Sequence, residues 1–226
     1  MVVVDDSGHR AGHDRRPGAP ASDEVAMDER ISDALLVCVA RWGIAKTTLE
    51  DVARQAGCSR ATIYRTFSGG KGAVLAVTAR REGARLRAVV EAAIAGTDDL
   101  EVLVVRAISA ASGFLAGHGA LRNLLAHEPD VVLPHVAFDR LTHVLDLVAT
   151  MATPHLARHI TDAEDAARSA EWVTRVVISY LLNPAADLDL ATEAGARRLV
   201  RTFLLPGLLA VARPTPPVTA VPGGSR

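Results

Sequence analysis

The spacing of three residues between Leu49 and Phe67 constrains the fold more than any other feature of the chain. Ala53 is small enough to let a second helix cross closely, and Gly57, four positions later, can adopt a positive φ in the turn. Ile63, six positions after Gly57, supplies an apolar side chain for the inner face of the second helix. This spacing predicts two short helices joined by a tight turn, a helix-turn-helix.

The outward side of the second helix carries side chains that form hydrogen bonds: Ser59, Arg60, Thr62, Tyr64 and Arg65. Such side chains suit phosphate oxygens and base edges. Residues 28–88 hold eleven Lys and Arg and six Asp and Glu, a net charge of +5, whereas the whole chain has −1. A polyanion partner is therefore the first hypothesis, and an ordinary helical hairpin with a solvated polar surface is the alternative.

Nearly all of the chain between its two ends shows the helical spacing of apolar residues. Pro134 and Pro154 should interrupt the helical region around residues 131–158, and Pro206 should kink or break the last helix. No alternating strand pattern competes, so the predicted fold class is all-α with about nine helices. The predicted helices span residues 27–42, 48–56, 59–66, 71–95, 98–117, 119–127, one or two within 131–158, 161–182 and 190–211.

Composition narrows the class of protein further. Apolar residues make up 49% of the chain and aromatic residues 4%, which favours a core of close-packed helices over a β-sandwich. No run of eighteen consecutive apolar residues occurs, so neither a membrane span nor a membrane partner is expected. Cys38 and Cys58 lie in helix-like contexts, and the N-terminus lacks an apolar secretory segment. A cytoplasmic location is the resulting prediction.

Composition also divides the chain into segments. Residues 1–26 and 213–226 are rich in Gly, Pro and small residues and are expected to be disordered tails. Residues 27–70 form the predicted helix-turn-helix domain, and residues 71–212 form a second helical domain.

The run from Thr47 to Phe67 resembles the DNA-binding signature of tetracycline-repressor-type (TetR/AcrR) transcriptional regulators. The following Ser68-Gly69-Gly70-Lys71 resembles that family's loop, which leads to a basic residue at the start of its fourth helix. The resemblance covers about forty-five residues, roughly 31–75, and the rest of the chain matches in helix count and order.

The resemblance implies a homodimer with an N-terminal three-helix DNA-binding domain and a C-terminal helical ligand-binding and dimerisation domain. It implies a regulator, most often a repressor, that leaves a palindromic operator when a small molecule binds. Arg60 and Thr62 would face the major groove, Tyr64 and Lys71 would bind phosphates, and Arg65 would contact either a base or a phosphate. The full set of expected DNA-binding residues is Thr47, Thr48, Ser59, Arg60, Thr62, Tyr64, Arg65 and Lys71.

The effector is expected to be apolar or amphipathic and to bind among the helices between Leu100 and Trp172. Interrupted helices leave gaps at their ends, where a pocket can form. No cluster of Lys or Arg in this region suits a highly charged ligand. The candidate pocket residues are Leu103, Phe114, His118, Leu121, Phe138, Leu141, Leu145 and Trp172.

The last two long helices carry more apolar surface than one partner helix covers, which predicts a two-fold four-helix bundle between two copies of the chain. The alternative is that both helices pack onto their own core. The candidate interface residues are Ala170, Val173, Val177, Ile178, Leu181, Leu199 and Phe203.

Two other functions compete with a DNA-binding regulator. The chain could be a helical interaction protein without sequence-specific DNA binding. It could also be a metalloenzyme, because six histidines lie between residues 118 and 159 and His155 and His159 are four apart. No third ligand is fixed by spacing, and no catalytic triad, Walker loop or paired-carboxylate motif occurs. The prediction is therefore a non-enzymatic protein without a metal or cofactor.

Overall fold

The computed structural model describes residues 21–131 and 141–212, which form helices and connecting loops without a strand. The all-α prediction is therefore confirmed for these two ranges. The helices are α1 (Ala21–Lys46), α2 (Leu49–Ala56), α3 (Arg60–Thr66), α4 (Gly70–Ile94), α5 (Leu100–Gly117), α6 (Gly119–His127), α7 (Leu141–Leu156), α8 (Ala163–Leu182), α9 (Glu193–Leu199) and α10 (Leu205–Ala212).

Helix α1 begins earlier than its apolar pattern predicts. Residues 21–26 are helical, so the prediction of a disordered tail up to residue 26 is wrong for this part. The predicted stop at Gly43 is a kink, where φ is +80°, and the chain regains helical geometry for the last turn of α1.

The N-terminal core extends beyond the three helices of the predicted helix-turn-helix domain. Ile31 of α1, Val52 of α2 and Ile63 of α3 are completely buried. Val74 of α4 and Ala120 of α6 belong to the same cluster. Helices α4 and α6 therefore close the core on which α2 and α3 rest, and the predicted boundary at residue 70 falls inside one packed unit.

A second core lies between α5, α8 and the C-terminal helices. Val105 of α5, Ala166 of α8 and Leu204 before α10 are all completely buried in it. By its 18-residue length and mean hydropathy of 1.6, α5 could also cross a membrane, despite the absence of an unbroken apolar run. Its Leu103, Val105 and Ile108 are instead part of this core.

The chain accommodates Pro206 without breaking the last helix. A π-helical turn, Val200–Leu204, joins α9 to α10, and its Leu205 N–H donates to the Val200 carbonyl, five residues back. This wider turn ends two residues before Pro206, whose nitrogen has no N–H to donate to the preceding turn. Helix α7 likewise continues through Pro154 to Leu156, so the predicted interruption there is wrong. Pro134 lies outside the described residues.

Candidate nucleic-acid interface and internal cavity

The first helix of the helix-turn-helix begins with a reciprocal cap. The Thr48 side chain accepts from the Asp51 N–H at 3.2 Å, and the Asp51 carboxylate accepts from the Thr48 N–H at 3.1 Å. The Thr48 hydroxyl also donates to that carboxylate at 2.6 Å and, together with the Thr48 N–H, lowers the Asp51 pKa. Gly57 ends α2 in the left-handed region at φ +64°, as its spacing predicts.

Replacing Thr48 with Ala should lower the free energy of unfolding by about 1 kcal/mol, because the first turn of α2 loses its side-chain acceptor. Denaturant unfolding measures this loss, and the Asp51 pKa should rise at the same time. Because folding lowers the Asp51 pKa, the stabilisation it reports is lost as the pH falls through the folded-state pKa, and T48A should reduce that dependence. Unchanged stability in T48A would contradict the cap assignment.

The second helix presents a polar side outside the core. Ser59 caps α3: its Oγ accepts from the Thr62 N–H at 3.1 Å and lies 2.9 Å from Thr62 Oγ1. Ile63 is fully buried, whereas Arg60 and Arg65 are exposed. The helix is thereby anchored by one apolar residue and keeps its hydrogen-bonding side chains accessible.

Arg60 and Tyr64 lie next to each other on this exposed side. The Arg60 guanidinium carbon is 6.0 Å from the centre of the Tyr64 ring, and Arg60 Nε is 3.8 Å from Glu50 Oε2. The Tyr64 ring also approaches Gly70 at the start of α4, since its Cε1 lies 3.5 Å from where a Cβ would stand. Such contacts restrict both side chains before any ligand is bound.

Two of the expected DNA contacts are engaged inside the protein. Thr47 is 1% exposed, and its hydroxyl donates to the Gly43 carbonyl at 2.6 Å. The Thr47 side chain closes the turn after α1, and a DNA contact by Thr47 stays a prediction. Lys71 is half-buried, and its Nζ donates to the Ile44 carbonyl at 2.5 Å. A phosphate contact by Lys71 stays a prediction.

An apolar cavity of about 250 Å³ lies between α4, α5, α7 and α8. Its only ionisable lining residues in the described ranges are Glu91 and His155, and the Thr174 hydroxyl already donates to the Ala170 carbonyl at 2.7 Å. No Lys or Arg of these ranges lines it. The apolar lining includes Leu86, Val90, Ile94, Leu103, Val104, Ala107, Ile108, Ala111, Leu115, Val144, Val148, Met151, Ala152, Val173, Val177, Ile178 and Leu181.

Of the candidate pocket residues whose side chains the structure describes, Leu103 alone lines this cavity. Phe114, His118 and Leu121 instead form the α5–α6 junction, where His118 Nδ1 accepts from the Leu121 N–H at 3.1 Å. Leu145 is buried and does not line the cavity. Phe138 and the side chain of Leu141 lie outside the described part of the chain.

The candidate interface residues lie in different environments. Ala170, Val177 and Leu199 are buried in their own chain. Val173, Ile178 and Leu181 line the cavity and are partly exposed, so their part in an interface stays a prediction. The helical pattern identified apolar residues but could not tell which of them face inward.

The large exposed apolar side chains of the last helices include one of these candidates, Phe203, and other residues. Phe203 is 61% exposed and Trp172, predicted for the pocket, is 41% exposed. The Trp172 side chain, from α8, packs against α10, with ring atoms 3.3 Å from the position of a Cβ at Gly207. Leu209 and Val211 are exposed as well. We call these four side chains, Trp172, Phe203, Leu209 and Val211, the C-terminal apolar face.

The histidines form no cluster in the described ranges. His155 lines the cavity, and His118 caps α6 with its Nε2 3.3 Å from Glu82 Oε2. No group of three or more His, Cys, Asp or Glu side chains in residues 21–131 and 141–212 could hold a metal ion.

Residues 31–77 match the family model described as bacterial regulatory proteins, tetR family. This segment carries the tetR signature. The match contains α2, α3 and the first turns of α4, so the resemblance read from the sequence is confirmed. No curated protein sequence matches the chain.

Solved structures extend the TetR-type comparison to the whole fold. The TetR family repressor AlkX from Dietzia sp. strain DQ12-45-1b, implicated in biodegradation of n-alkanes, has 20% identity and a TM-score of 0.59, covering 81% of this chain and 98% of its own. The fatty acid degradation regulator FadR from Bacillus halodurans has 17% identity and a TM-score of 0.55, covering 82% and 96%. A TetR-like regulator from Rhodococcus sp. RHA1 has 16% identity and a TM-score of 0.55, covering 80% and 95%. The chain has the fold of TetR-type transcriptional regulators.

Proposed function

We propose that the chain is a homodimeric transcriptional repressor that leaves a palindromic operator when an uncharged apolar molecule occupies the cavity. The observation that carries the DNA-binding part is the α3 surface, where Arg60, Thr62 and Tyr64 are held by caps and ring contacts around a buried Ile63. A short helix with such side chains suits the major groove. The tetR-family match of residues 31–77 supports the same conclusion.

A second copy of the chain is the partner proposed for the C-terminal apolar face. Trp172 and Phe203 expose large apolar side chains that a monomer would leave in water. A two-fold axis through this face would make one interface from identical surfaces and present two α3 helices to successive half-sites.

The test of the DNA-binding part is a gel shift with the DNA beside the protein's own gene. A specific complex that survives competitor DNA is the expected result. Failure to prefer this DNA over unrelated DNA would favour the helical interaction protein. Metal analysis of the purified protein tests the histidine-dependent enzyme, and stoichiometric bound metal would favour it over the regulator.

The cavity supports an uncharged effector. Its volume of about 250 Å³ exceeds that of an engineered apolar cavity, about 150 Å³, that binds benzene. A carboxylate inside it would find no Lys or Arg among the described lining residues to pair with. For the chemistry of the effector, AlkX, which is implicated in biodegradation of n-alkanes, is therefore a better analogy than the fatty acid degradation regulator FadR.

We expect 1-decanol to bind the protein at least about tenfold more tightly than decanoate, because the two share an alkyl chain and differ in charge. Displacement of the uncharged fluorophore N-phenyl-1-naphthylamine measures both affinities. Ala111→Phe should reduce binding of the fluorophore by filling the cavity. Ala116→Phe is the matched control, because Ala116 lies on the exposed side of the same helix. Tighter binding of decanoate would contradict the uncharged class.

A further inference from the structure

A carboxylate from a part of the chain distant in sequence lies against the backbone at the Gly43 kink. Glu128, the residue that ends α6, accepts from the Ile44 N–H at 2.7 Å and from the Ala45 N–H at 3.2 Å. A Cβ at Gly43 would overlap the Glu128 carboxylate, and φ at Gly43 is +80°. Glycine is therefore required here both by the backbone and by the carboxylate beside it.

The same peptide segment is held from the other side by α4. Lys71 Nζ donates to the Ile44 carbonyl at 2.5 Å, while Glu128 accepts from the Ile44 N–H. Residue Ile44 is thus bonded through both of its backbone polar groups to side chains of other helices. Hydrogen bonds to ionised groups are about twice as strong as neutral ones, so these contacts fix the turn firmly.

This turn leads directly into the DNA-reading helices. Thr47 closes it by donating to the Gly43 carbonyl at 2.6 Å, and the next residue, Thr48, caps α2. The direction in which α2 leaves α1 therefore depends on the geometry between residues 43 and 47.

The two helices that supply these side chains, α4 and α6, each have a link to the cavity. Helix α4 carries Lys71 at its start and the cavity-lining Leu86 and Val90 further along. Helix α6 follows α5, whose Leu115 lines the cavity near the α5–α6 junction. A further bond ties α6 to α1, because the Asn123 amide donates to the Val39 carbonyl at 3.0 Å.

We propose that Glu128 is a positioning residue for DNA recognition: its carboxylate fixes the turn at residues 43–45 and so sets the orientation of α2 and α3 against the cavity domain. The inference rests on the proposed function for its operator readout. Glu128 then acts through Ile44 and Ala45 and not by touching DNA.

The test compares full-length wild type, Glu128→Ala and Glu128→Gln. Glu128→Ala should lower affinity for the operator about tenfold, because the turn loses a charged acceptor. Affinity for unrelated DNA should stay within about twofold of wild type, since phosphate contacts are retained. Glu128→Gln should recover most of the operator affinity, because its amide oxygen still accepts from Ile44. If the Glu128 charge acted only by repelling DNA, Glu128→Ala would instead bind DNA more tightly than wild type.

A second pair of variants tests the contact without depending on Glu128 alone. Gly43→Ala should weaken operator binding as well, and the Gly43→Ala/Glu128→Ala double variant should lose less than the product of the two single losses. Glu164→Ala, which removes an exposed glutamate paired with Arg168 on α8, is the matched control and should bind like wild type. Losses that multiply, or operator binding by Glu128→Ala within twofold of wild type, would overturn the proposal.

Hydrogen exchange separates this proposal from the function on which it rests. In Glu128→Ala the amides of Ile44 and Ala45 should exchange faster, while those of α8 should not change. If the wild-type protein binds no specific operator, the proposed function fails. The hydrogen-exchange result then tests by itself whether Glu128 fixes the turn. Unchanged exchange at both amides would overturn the positioning role.

Discussion

Replacing Phe203 with Glu should convert the protein into a monomer and lower its affinity for a full operator by about 100-fold or more. The 61% exposed ring lies on the C-terminal apolar face, where a charge would have to be buried in a dimer. A monomer engages one half-site and loses the gain from binding two linked sites. Sedimentation at micromolar concentration measures the first effect, and titration of operator DNA measures the second.

Val89→Glu is the control for this substitution, because Val89 is 41% exposed on α4, outside the C-terminal apolar face. It should remain dimeric and bind the operator like wild type. The proposed interface would be refuted by a Phe203→Glu variant that still sediments as a dimer, or by a monomeric wild type that binds the full operator tightly.

Arg60→Ala should remove most of the preference for one base pair in each half-site. A good bidentate base contact is worth about 1–3 kcal/mol of discrimination, which corresponds to roughly 5- to 150-fold. Arg60 is exposed near the start of α3 and is steadied by the Tyr64 ring. Titrations of the operator and of single-base-pair variants measure the change, which should be confined to one position.

Tyr64→Phe is the informative comparison with Arg60→Ala. It keeps the ring beside Arg60 and Gly70 and removes only the hydroxyl proposed to contact phosphate. Affinity should fall by a similar factor for all sequences, because phosphate contacts carry no base information. If Arg60→Ala weakened all sequences equally while Tyr64→Phe changed the preferred base, the two roles would have to be exchanged.

The helix-turn-helix could be predicted because its determinants are local. Thr48 and Ser59 cap helices within three residues of themselves, and Gly57 supplies the left-handed turn without distant partners. Ala53 and Ile63 are buried at the positions that the spacing assigns to the inner face of the two helices. Spacing within twenty residues therefore carries nearly all of the information.

The positions of the cavity-lining and exposed apolar residues could not be predicted in this way. Trp172 and Ile178 both belong to the apolar pattern of α8, yet Trp172 is exposed and Ile178 lines the cavity. Which of the apolar residues of such a helix face inward depends on its neighbours, and those come from distant parts of the chain. The hydrogen bonds of Glu128 span more than eighty residues and give no local signal.

Helix α4 serves both the N-terminal core and the cavity, which couples the stability of the two units. Val74 and Ala120 complete the N-terminal core, while Leu86 and Ile94 of α4 line the cavity. Neither unit can melt without exposing apolar surface of a helix that serves the other. If the proposed effector binds in the cavity, it should therefore also raise the melting temperature of α3, and thermal shift would report effector binding without DNA.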